Sequence, residues 1–186
     1  MTANQTSLIQ LQDVFLKTRC TISPFFRVVD NEKYYVDCDE VYPNLFVGNG
    51  SAAKNLVYLK RVGITHVVNM AESDVDTDAN YYRNDNINYL GVAIADSPST
   101  KINDHFEAVT KFIENGIKRD GGKVLVHCFM GYSRSATCAI AYLMICEKLD
   151  ATTACQIIKS KHVCRPNDGF LQQLVELDNH LRSDKR

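Results

Sequence analysis

The sequence predicts a single α/β domain with a mixed, mostly parallel central sheet, flanking helices and a helical C-terminal half. Short apolar runs rich in β-branched residues, at 64–69 and 122–127, are typical of buried parallel strands. Helical patterns alternate with such runs, which indicates βαβ units. After residue 133, the apolar residues recur at helical spacing only.

The N-terminal part, residues 1–33, is predicted to be a helix followed by a connector, ahead of a main domain over 34–183. Apolar residues recur at helical spacing after Ser7, which is a suitable cap, so we expect a helix over 7–19. The connector carries the turn signal Ser23-Pro24.

The main domain is predicted to begin with strands and to end with helices. In chain order, the pattern indicates strands at 34–38 and 44–47, a helix over 51–61, and strands at 64–69 and 88–94. Residues 71–86 are acidic and lack the glycine and terminal glutamate of a calcium loop, so we interpret them as solvated. The remaining pattern predicts helices over 104–118, 134–148, 152–161 and 168–182, with Asp104 and Asn167 as caps.

Composition limits the classes of partner. Hydrophobic residues make up 45%, charged residues 23%, and the net charge is −1, which gives no general attraction to nucleic acid or anionic lipid. The seven cysteines show no paired spacing, and we find neither a leader nor an apolar run of membrane length. We therefore expect a cytoplasmic or nuclear protein, a monomer or weak dimer, with neither nucleic acid nor membrane as partner.

The segment 127–135 carries the strongest chemical signal. It joins the strand at 122–127 to a helix, so the sulfur of Cys128 would lie over a helix N-terminus, where converging N–H groups favour a thiolate. The same N–H groups would bind phosphate oxygens, and the planar guanidinium of Arg134 could bind two more. We therefore predict a nucleophilic cysteine in a phosphate-binding loop.

The other residues of this segment have separate predicted roles. Gly131 relieves crowding where the backbone turns inward, Ser135 can donate a hydroxyl to the departing sulfur, and His127 can orient the loop. The loop itself comprises Phe129, Met130, Gly131, Tyr132, Ser133 and Arg134. A lone buried cysteine would favour simple packing, but the complete constellation favours catalysis.

This stretch resembles the signature of the cysteine-dependent protein tyrosine phosphatases. The segments 42–49, 63–69, 131–135 and 166–171 narrow the resemblance to the small atypical dual-specificity phosphatases related to the vaccinia virus H1 phosphatase. The resemblance runs from about residue 37 to 181 and implies a protein-tyrosine-phosphatase-like catalytic domain over 34–183. It also implies that Asn167 supports the loop.

Asp96 is the predicted general acid. It follows the strand at 88–94, and the carboxyl ends of parallel strands share one crevice, so Asp96 and Cys128 could face the same phosphate. The leaving oxygen must be protonated, and water must later be activated, which one carboxyl group can do in turn. The resemblance places the acid at this position, whereas Asp104 fits a helix cap.

The loop carries no Lys or Arg between Cys128 and Arg134, which argues against an inositol lipid as the substrate. A shallow pocket that accepts both phosphotyrosine and phosphothreonine follows from the resemblance. A second substrate phosphate could bind to Lys161, His162 and Arg165. His162 occupies the position at which the resembled family can use an arginine for this purpose.

We therefore expect a dual-specificity protein phosphatase that needs no metal or other cofactor, because Arg134 and the loop amides supply the charge stabilisation. Its substrate would be a signalling phosphoprotein, for example a mitogen-activated protein kinase. Two alternatives stay open at this point: a phosphoprotein-binding scaffold, and a phosphatase for RNA 5′-triphosphate, lipid or glycan phosphate. The sequence leaves open whether Cys38 or Cys164 resolves an oxidised Cys128.

Overall fold

The computed structural model describes residues 5–22 and 26–183. In chain order, the strands are β1 (Arg27–Val29), β2 (Glu32–Tyr34), β3 (Cys38–Tyr42), β4 (Leu45–Gly48), β5 (His66–Asn69), β6 (Asn88–Gly91) and β7 (Val124–His127). The helices are α1 (Leu8–Lys17), α2 (Gly50–Lys54), α3 (Leu56–Val62), α4 (Ala79–Tyr82), α5 (Phe106–Lys118), α6 (Arg134–Ile145), α7 (Ala151–Lys161) and α8 (Asp168–Ser183). Two 3₁₀ turns lie at Arg83–Asp85 and Ile102–His105.

The central sheet has five strands in the order β3-β4-β7-β5-β6. β7 pairs in parallel with β4 and β5, β5 pairs in parallel with β6, and β3 runs antiparallel to β4 at one edge. This arrangement confirms the predicted mixed, mostly parallel sheet. The carboxyl ends of β4, β5, β6 and β7 meet at one edge, where ligands bind in open α/β sheets.

The side chains of β7 alternate between two apolar cores. Val124 and Val126 face the larger core, which contains residues of α1 and of α5 through α8, while Leu125 faces a smaller core formed with α2, α3 and the β1–β2 hairpin. Residues 134–144 of α6 are all buried. A helix buried on every side cannot tilt freely, so it holds the preceding loop in place.

The N-terminal helix forms as predicted and joins the larger core. Ser7 and Gln10 make a reciprocal capping box at its start. Leu11, Val14 and Phe15 are buried against α7 and α8. No helix among residues 5–22 and 26–183 is long and apolar enough to cross a membrane.

Several predicted boundaries were wrong in the first half of the main domain. The strand expected at 34–38 is divided between β2 and β3, and the connector contains the hairpin β1–β2, which short polar strands do not reveal by pattern. The helix expected over 51–61 breaks at Asn55, whose side chain accepts the N–H of Tyr58 and starts α3. The Ser23-Pro24 turn lies outside the described residues.

Two further boundaries differ near the predicted caps. Asp104 lies within a 3₁₀ turn, and α5 begins at Phe106 without a side-chain cap, so the predicted cap was wrong. α6 ends at Ile145 because Lys148 adopts a left-handed backbone with φ 61°. Asn167 does cap α8, by accepting the N–H of Phe170 at 3.0 Å.

Candidate active site

The loop between β7 and α6 has its backbone carbonyls tied to surrounding elements. A peptide unit is planar and trans, so fixing a carbonyl away from the loop turns the N–H of the next residue towards its centre. Four such bonds form: His127 Nδ1 to the Cys128 carbonyl (3.3 Å), Gly50 N to Phe129 (3.1 Å), His162 Nε2 to Gly131 (2.9 Å) and Arg165 N to Tyr132 (3.0 Å). The converging N–H groups form an anion-binding nest.

Cys128 lies at the floor of this nest and is 1% exposed. Its Sγ is 3.3 Å from the hydroxyl oxygen of Ser135, which is fully buried in the first turn of α6. The hydroxyl can donate to the sulfur because Ser135 is placed by the helix, not by a mobile loop. The structure thus brings together the two residues that the sequence paired.

Arg134 is held at the side of the loop by two acceptors. Its Nη1 donates to Asp74 Oδ2 at 2.6 Å and to the carbonyl of Ile94 at 2.9 Å, while its side chain is only 5% exposed. Sequence reasoning missed Asp74, because we interpreted the acidic segment 71–86 as solvated. The available signal was position, since Asp74 follows the carboxyl end of β5 as Asp96 follows that of β6.

Asp96 lies next to the same loop. Its Oδ1 accepts from Ser133 Oγ and from Asn167 Nδ2, both at 2.8 Å, and its Oδ2 is 3.8 Å from Arg134 Nε. The side chain is 35% exposed, so it can reach both the nest and solvent. Hydrogen bonds from two neutral donors orient the carboxyl group without burying it.

Asn167 joins the start of α8 to the loop. Its backbone N–H donates to Ser133 Oγ at 3.2 Å, and its side chain both caps α8 and donates to Asp96. The close approach of α8 depends on Gly169, where an added Cβ would lie 1.9 Å from the carbonyl oxygen of Pro98. Asn167 thus connects α8 to Ser133 of the loop and to Asp96.

His127 is fully buried, and burial lowers the pKa of its imidazole to about 4 against the opposing effect of its hydrogen bond to the Cys128 backbone. The ring is therefore neutral at neutral pH, with its proton on Nδ1 to meet the Cys128 carbonyl. Within the part of the chain that the structure describes, Nε2 has no hydrogen-bond partner.

Comparison with known proteins identifies the architecture. Residues 45–180 match the family model described as the dual specificity phosphatase, catalytic domain. The chain belongs to the dual specificity phosphatase family. It is a cysteine-dependent protein phosphatase, and the comparisons do not favour the scaffold or a non-protein substrate.

Two curated relatives and one solved structure illustrate the likeness. Human dual specificity protein phosphatase 13B is 43% identical over 145 residues, which cover 77% of this chain and 73% of the relative. Human dual specificity protein phosphatase 26 is 42% identical over 144 residues, covering 77% and 68%. A mouse protein described as a dual specificity phosphatase, solved with zinc tungstate, is 32% identical with a TM-score of 0.73, covering 91% of this chain and 96% of that one.

The expectation that His162 of this phosphatase contacts a second substrate phosphate was wrong. That residue is fully buried, with Nδ1 2.6 Å from Asp39 Oδ2 and Nε2 2.9 Å from the Gly131 carbonyl, so it cannot meet a phosphate from solvent. Lys161 is exposed, and Arg165 forms an ion pair with Asp168 at 2.8 Å. The spacing in sequence could not reveal that α7 turns His162 inward.

Within residues 5–22 and 26–183, one group of ligand-type atoms is compact enough for a metal ion: those of Asp37, Asp39 and His162. Arg27 Nη2 lies 2.6 Å from Asp39 Oδ1 and 3.8 Å from Asp37 Oδ1. A guanidinium at this distance offsets one of the two carboxylate charges and would repel a cation. The donor set therefore fits an ion-pair network better than a metal site.

The rim of the active site is apolar. Phe129, Met130 and Tyr132 expose their side chains around the loop.

Two other cysteine thiols, those of Cys38 and Cys164, are protonated at neutral pH, because burial raises the pKa of each to about 12. Both are buried and poorly nucleophilic, which disfavours either as a resolving thiol.

Proposed function

We propose that this phosphatase hydrolyses phosphotyrosine and phosphoserine or phosphothreonine in proteins through a phosphocysteine intermediate on Cys128. The observation that carries the proposal is the loop with its carbonyls tied outward, with Cys128 at its floor and Arg134 and Asp96 at its sides. This arrangement matches a trigonal phosphoryl group with one attacking and one leaving atom in line.

In the first step, the Cys128 thiolate attacks phosphorus and the bond to the substrate oxygen breaks. The loop N–H groups and Arg134 stabilise the equatorial oxygens, where negative charge concentrates. Asp96 donates its proton to the leaving oxygen, which departs as a tyrosine, serine or threonine hydroxyl. The products are the dephosphorylated protein and phosphocysteine.

In the second step, the Asp96 carboxylate accepts a proton from water, and the water oxygen attacks phosphorus. The S–P bond breaks and inorganic phosphate leaves. Ser135 donates its hydroxyl hydrogen bond to the departing sulfur, which stabilises the thiolate at the 3.3 Å separation present in the site. Arg134 and the loop amides supply the charge stabilisation, so neither step requires a metal or other cofactor.

The loop favours protein substrates over lipid or nucleotide ones. It offers no Lys or Arg side chain to additional phosphates between Cys128 and Arg134, and its rim is apolar. The zinc tungstate complex of the mouse relative supports an affinity of this fold for tetrahedral oxyanions. The exposed Lys161 and the half-buried Arg165 remain candidates for contacting a second phosphate.

We further propose that the catalytic domain spans 34–183, that residues 1–33 form an N-terminal extension of it, and that the enzyme works as a monomer or weak dimer. A mitogen-activated protein kinase in the cytoplasm or nucleus is the first substrate to test, with neither nucleic acid nor membrane required. The near-zero net charge and the match over 45–180 support this assignment.

The test measures phosphate release from paired phosphotyrosine and phosphothreonine peptides in the presence of a chelator. We expect activity on both peptides, at least about 1,000-fold loss in Cys128→Ser, and about 100-fold loss in Asp96→Asn. Asp104→Asn is the matched control, because Asp104 is exposed on a 3₁₀ turn and should keep wild-type activity. Full activity in folded Cys128→Ser would overturn the proposal.

A further inference from the structure

His162 bridges two acceptors inside the protein. Its Nε2 is 2.9 Å from the Gly131 carbonyl oxygen, which can only accept a hydrogen bond. Its Nδ1 is 2.6 Å from Oδ2 of Asp39, a carboxyl group that is 4% exposed. A neutral imidazole carries one N–H and would place a lone pair against one of these oxygens, whereas an imidazolium donates to both.

The state of Asp39 decides between these possibilities. A protonated Asp39 could donate to a neutral ring, but Arg27 Nη2 lies 2.6 Å from its other oxygen, Oδ1. A guanidinium at that distance favours the ionised carboxylate. The bond to His162 must then be donated by the ring, which requires protons on both nitrogens.

The charges around His162 balance only with the imidazolium. Among the described residues, the charged and titratable groups around His162 and its partner Asp39 are Arg27 on β1, Asp37 before β3, Cys38 on β3 and Cys164 after α7, with Lys159 of α7 bonded to the Cys164 carbonyl at 3.0 Å. The two thiols are neutral because burial raises each pKa to about 12. Burial also raises the pKa of Asp37, while its neighbours His162 and Arg27 oppose that rise and Asp39 adds to it.

Two carboxylates therefore face one arginine, and the histidine supplies the second positive charge. A neutral His162 would leave this largely buried group with an excess negative charge, which is costly in a low-dielectric site.

We propose that His162 is a doubly protonated positioning residue that fixes the Gly131–Tyr132 peptide of the phosphate-binding loop, and that Arg27 and Asp39 keep it charged. Holding the Gly131 carbonyl outward keeps the Tyr132 N–H directed into the nest. The network thereby connects β1, which lies outside the range 45–180 that matches the family, to the catalytic loop. This inference rests on the proposed function of that loop.

The direct test is a proton–nitrogen NMR spectrum of the wild-type protein at neutral pH, which reports the protonation of each histidine ring. The His162 signals are assigned by their absence from a His162→Arg variant. We expect both ring nitrogens of His162 to carry a proton, while those of His127 show the neutral ring. A neutral His162 ring would overturn the inference, even if the enzyme hydrolyses phosphopeptides as proposed.

Kinetics of variants then test the effect on the loop. His162→Gln offers a single donor nitrogen, so we expect kcat/KM to fall about tenfold or more, which is less than losing a donor in direct contact with the oxyanion. His162→Arg keeps a permanent charge with several donors and should recover most of that loss.

His180→Gln is the matched control. His180 is exposed and lies about 18 Å along α8 from the start of that helix. It should keep wild-type kinetics. A folded His162→Gln variant with wild-type kcat/KM would overturn the positioning role. Retained activity in Cys128→Ser would instead defeat the proposed function, whatever the charge of His162.

Discussion

Two buried histidines contact two different carbonyls of the same loop, and their partners give them different protonation states. His127 meets one carbonyl and no carboxylate, so burial prevails and the ring is neutral. His162 lies between a carbonyl and the carboxylate of Asp39, so a second proton completes both bonds. At this scale the identity of the partner, not the residue type, decides the chemistry.

The neutral state of His127 predicts a pH dependence of stability. Its pKa of about 4 in the folded protein lies below the ordinary value of 6.5, so between these values the unfolded chain binds more protons. The free energy of unfolding should therefore fall by about 2 kcal/mol from this residue between about pH 7 and about pH 5.

Urea unfolding at both pH values checks this contribution against His127→Asn. The asparagine amide can still donate to the Cys128 carbonyl but does not titrate. We expect the pH-dependent loss to be smaller in the variant by that amount. An equal loss of the free energy of unfolding between the two pH values in both proteins would contradict a neutral, buried His127.

Asp74 is predicted to matter for catalysis although it lies in an acidic surface segment. Asp74→Ala removes the 2.6 Å ion pair that orients Arg134, so we expect kcat/KM for a phosphopeptide to fall about tenfold. Asp76→Ala is the matched control, because Asp76 is exposed two residues further on. Equal activity in both variants would show that the Ile94 carbonyl alone positions Arg134.

At the scale of elements, the loop takes its shape from its neighbours. Its carbonyls are tied by α2, by the end of α7 and by the segment that leads into α8, while β7 and α6 fix its two ends. Gly131 sits where the loop passes β4, with φ 73°. An added Cβ there would lie 2.8 Å from the Gly48 carbonyl.

Gly131→Ala should therefore affect catalysis more than its backbone strain alone would predict. We expect kcat/KM to fall about 100-fold, because the loop must move away from Gly48 to admit the methyl group. Gly121→Ala separates the two effects, since Gly121 has φ 65° but nothing within 4 Å of an added Cβ. That control should lose about 1–2 kcal/mol of stability and keep its kcat/KM.

Measurements of kcat/KM and of the free energy of unfolding on both glycine variants check this comparison. Comparable losses of kcat/KM in the two proteins would mean that close packing against β4 does not shape the loop.

At the scale of the whole molecule, the N-terminal helix shares the core of the catalytic unit. Leu11 on α1 is fully buried among residues of the larger core, and Thr6, just before the helix, hydrogen-bonds to Asp178 on α8. Arg27 connects the following hairpin to β3. The described residues before position 34, namely 5–22 and 26–33, are therefore packed against the main domain and should unfold with it.

Leu11→Ala tests this integration. We expect a single urea transition, as in the wild type, with the free energy of unfolding lowered by about 2–5 kcal/mol through the lost burial and the cavity left behind. Ile9→Ala is the control, because Ile9 is 72% exposed on the same helix. A separate early transition in Leu11→Ala, or an unchanged midpoint, would mean that α1 is independent of the catalytic core.

Local sequence patterns were sufficient to predict the features whose causes are local. The alternation of buried strands and helices, the Ser7 and Asn167 caps, and the Cys-to-Arg loop on a strand–loop–helix turn all follow from short-range pattern and spacing. The family, the fold and the position of Asp96 beside the loop that follows Cys128 were therefore predictable. Boundaries failed at Asp104, which lies within a 3₁₀ turn before α5, and at Asn55, whose side chain caps a new helix inside the expected one.

Only the tertiary structure decided which polar residues serve the loop. Asp74 and His162 lie far from Cys128 in sequence. The position of Asp74 after β5 was the available signal for it, and nothing local distinguishes His162 from a solvated residue. Their roles arise because β5 delivers Asp74 to Arg134, and because α7 buries His162 between Asp39 and Gly131. Burial and the nearest partner set the charge of a titratable group, and both depend on contacts between distant segments of the chain.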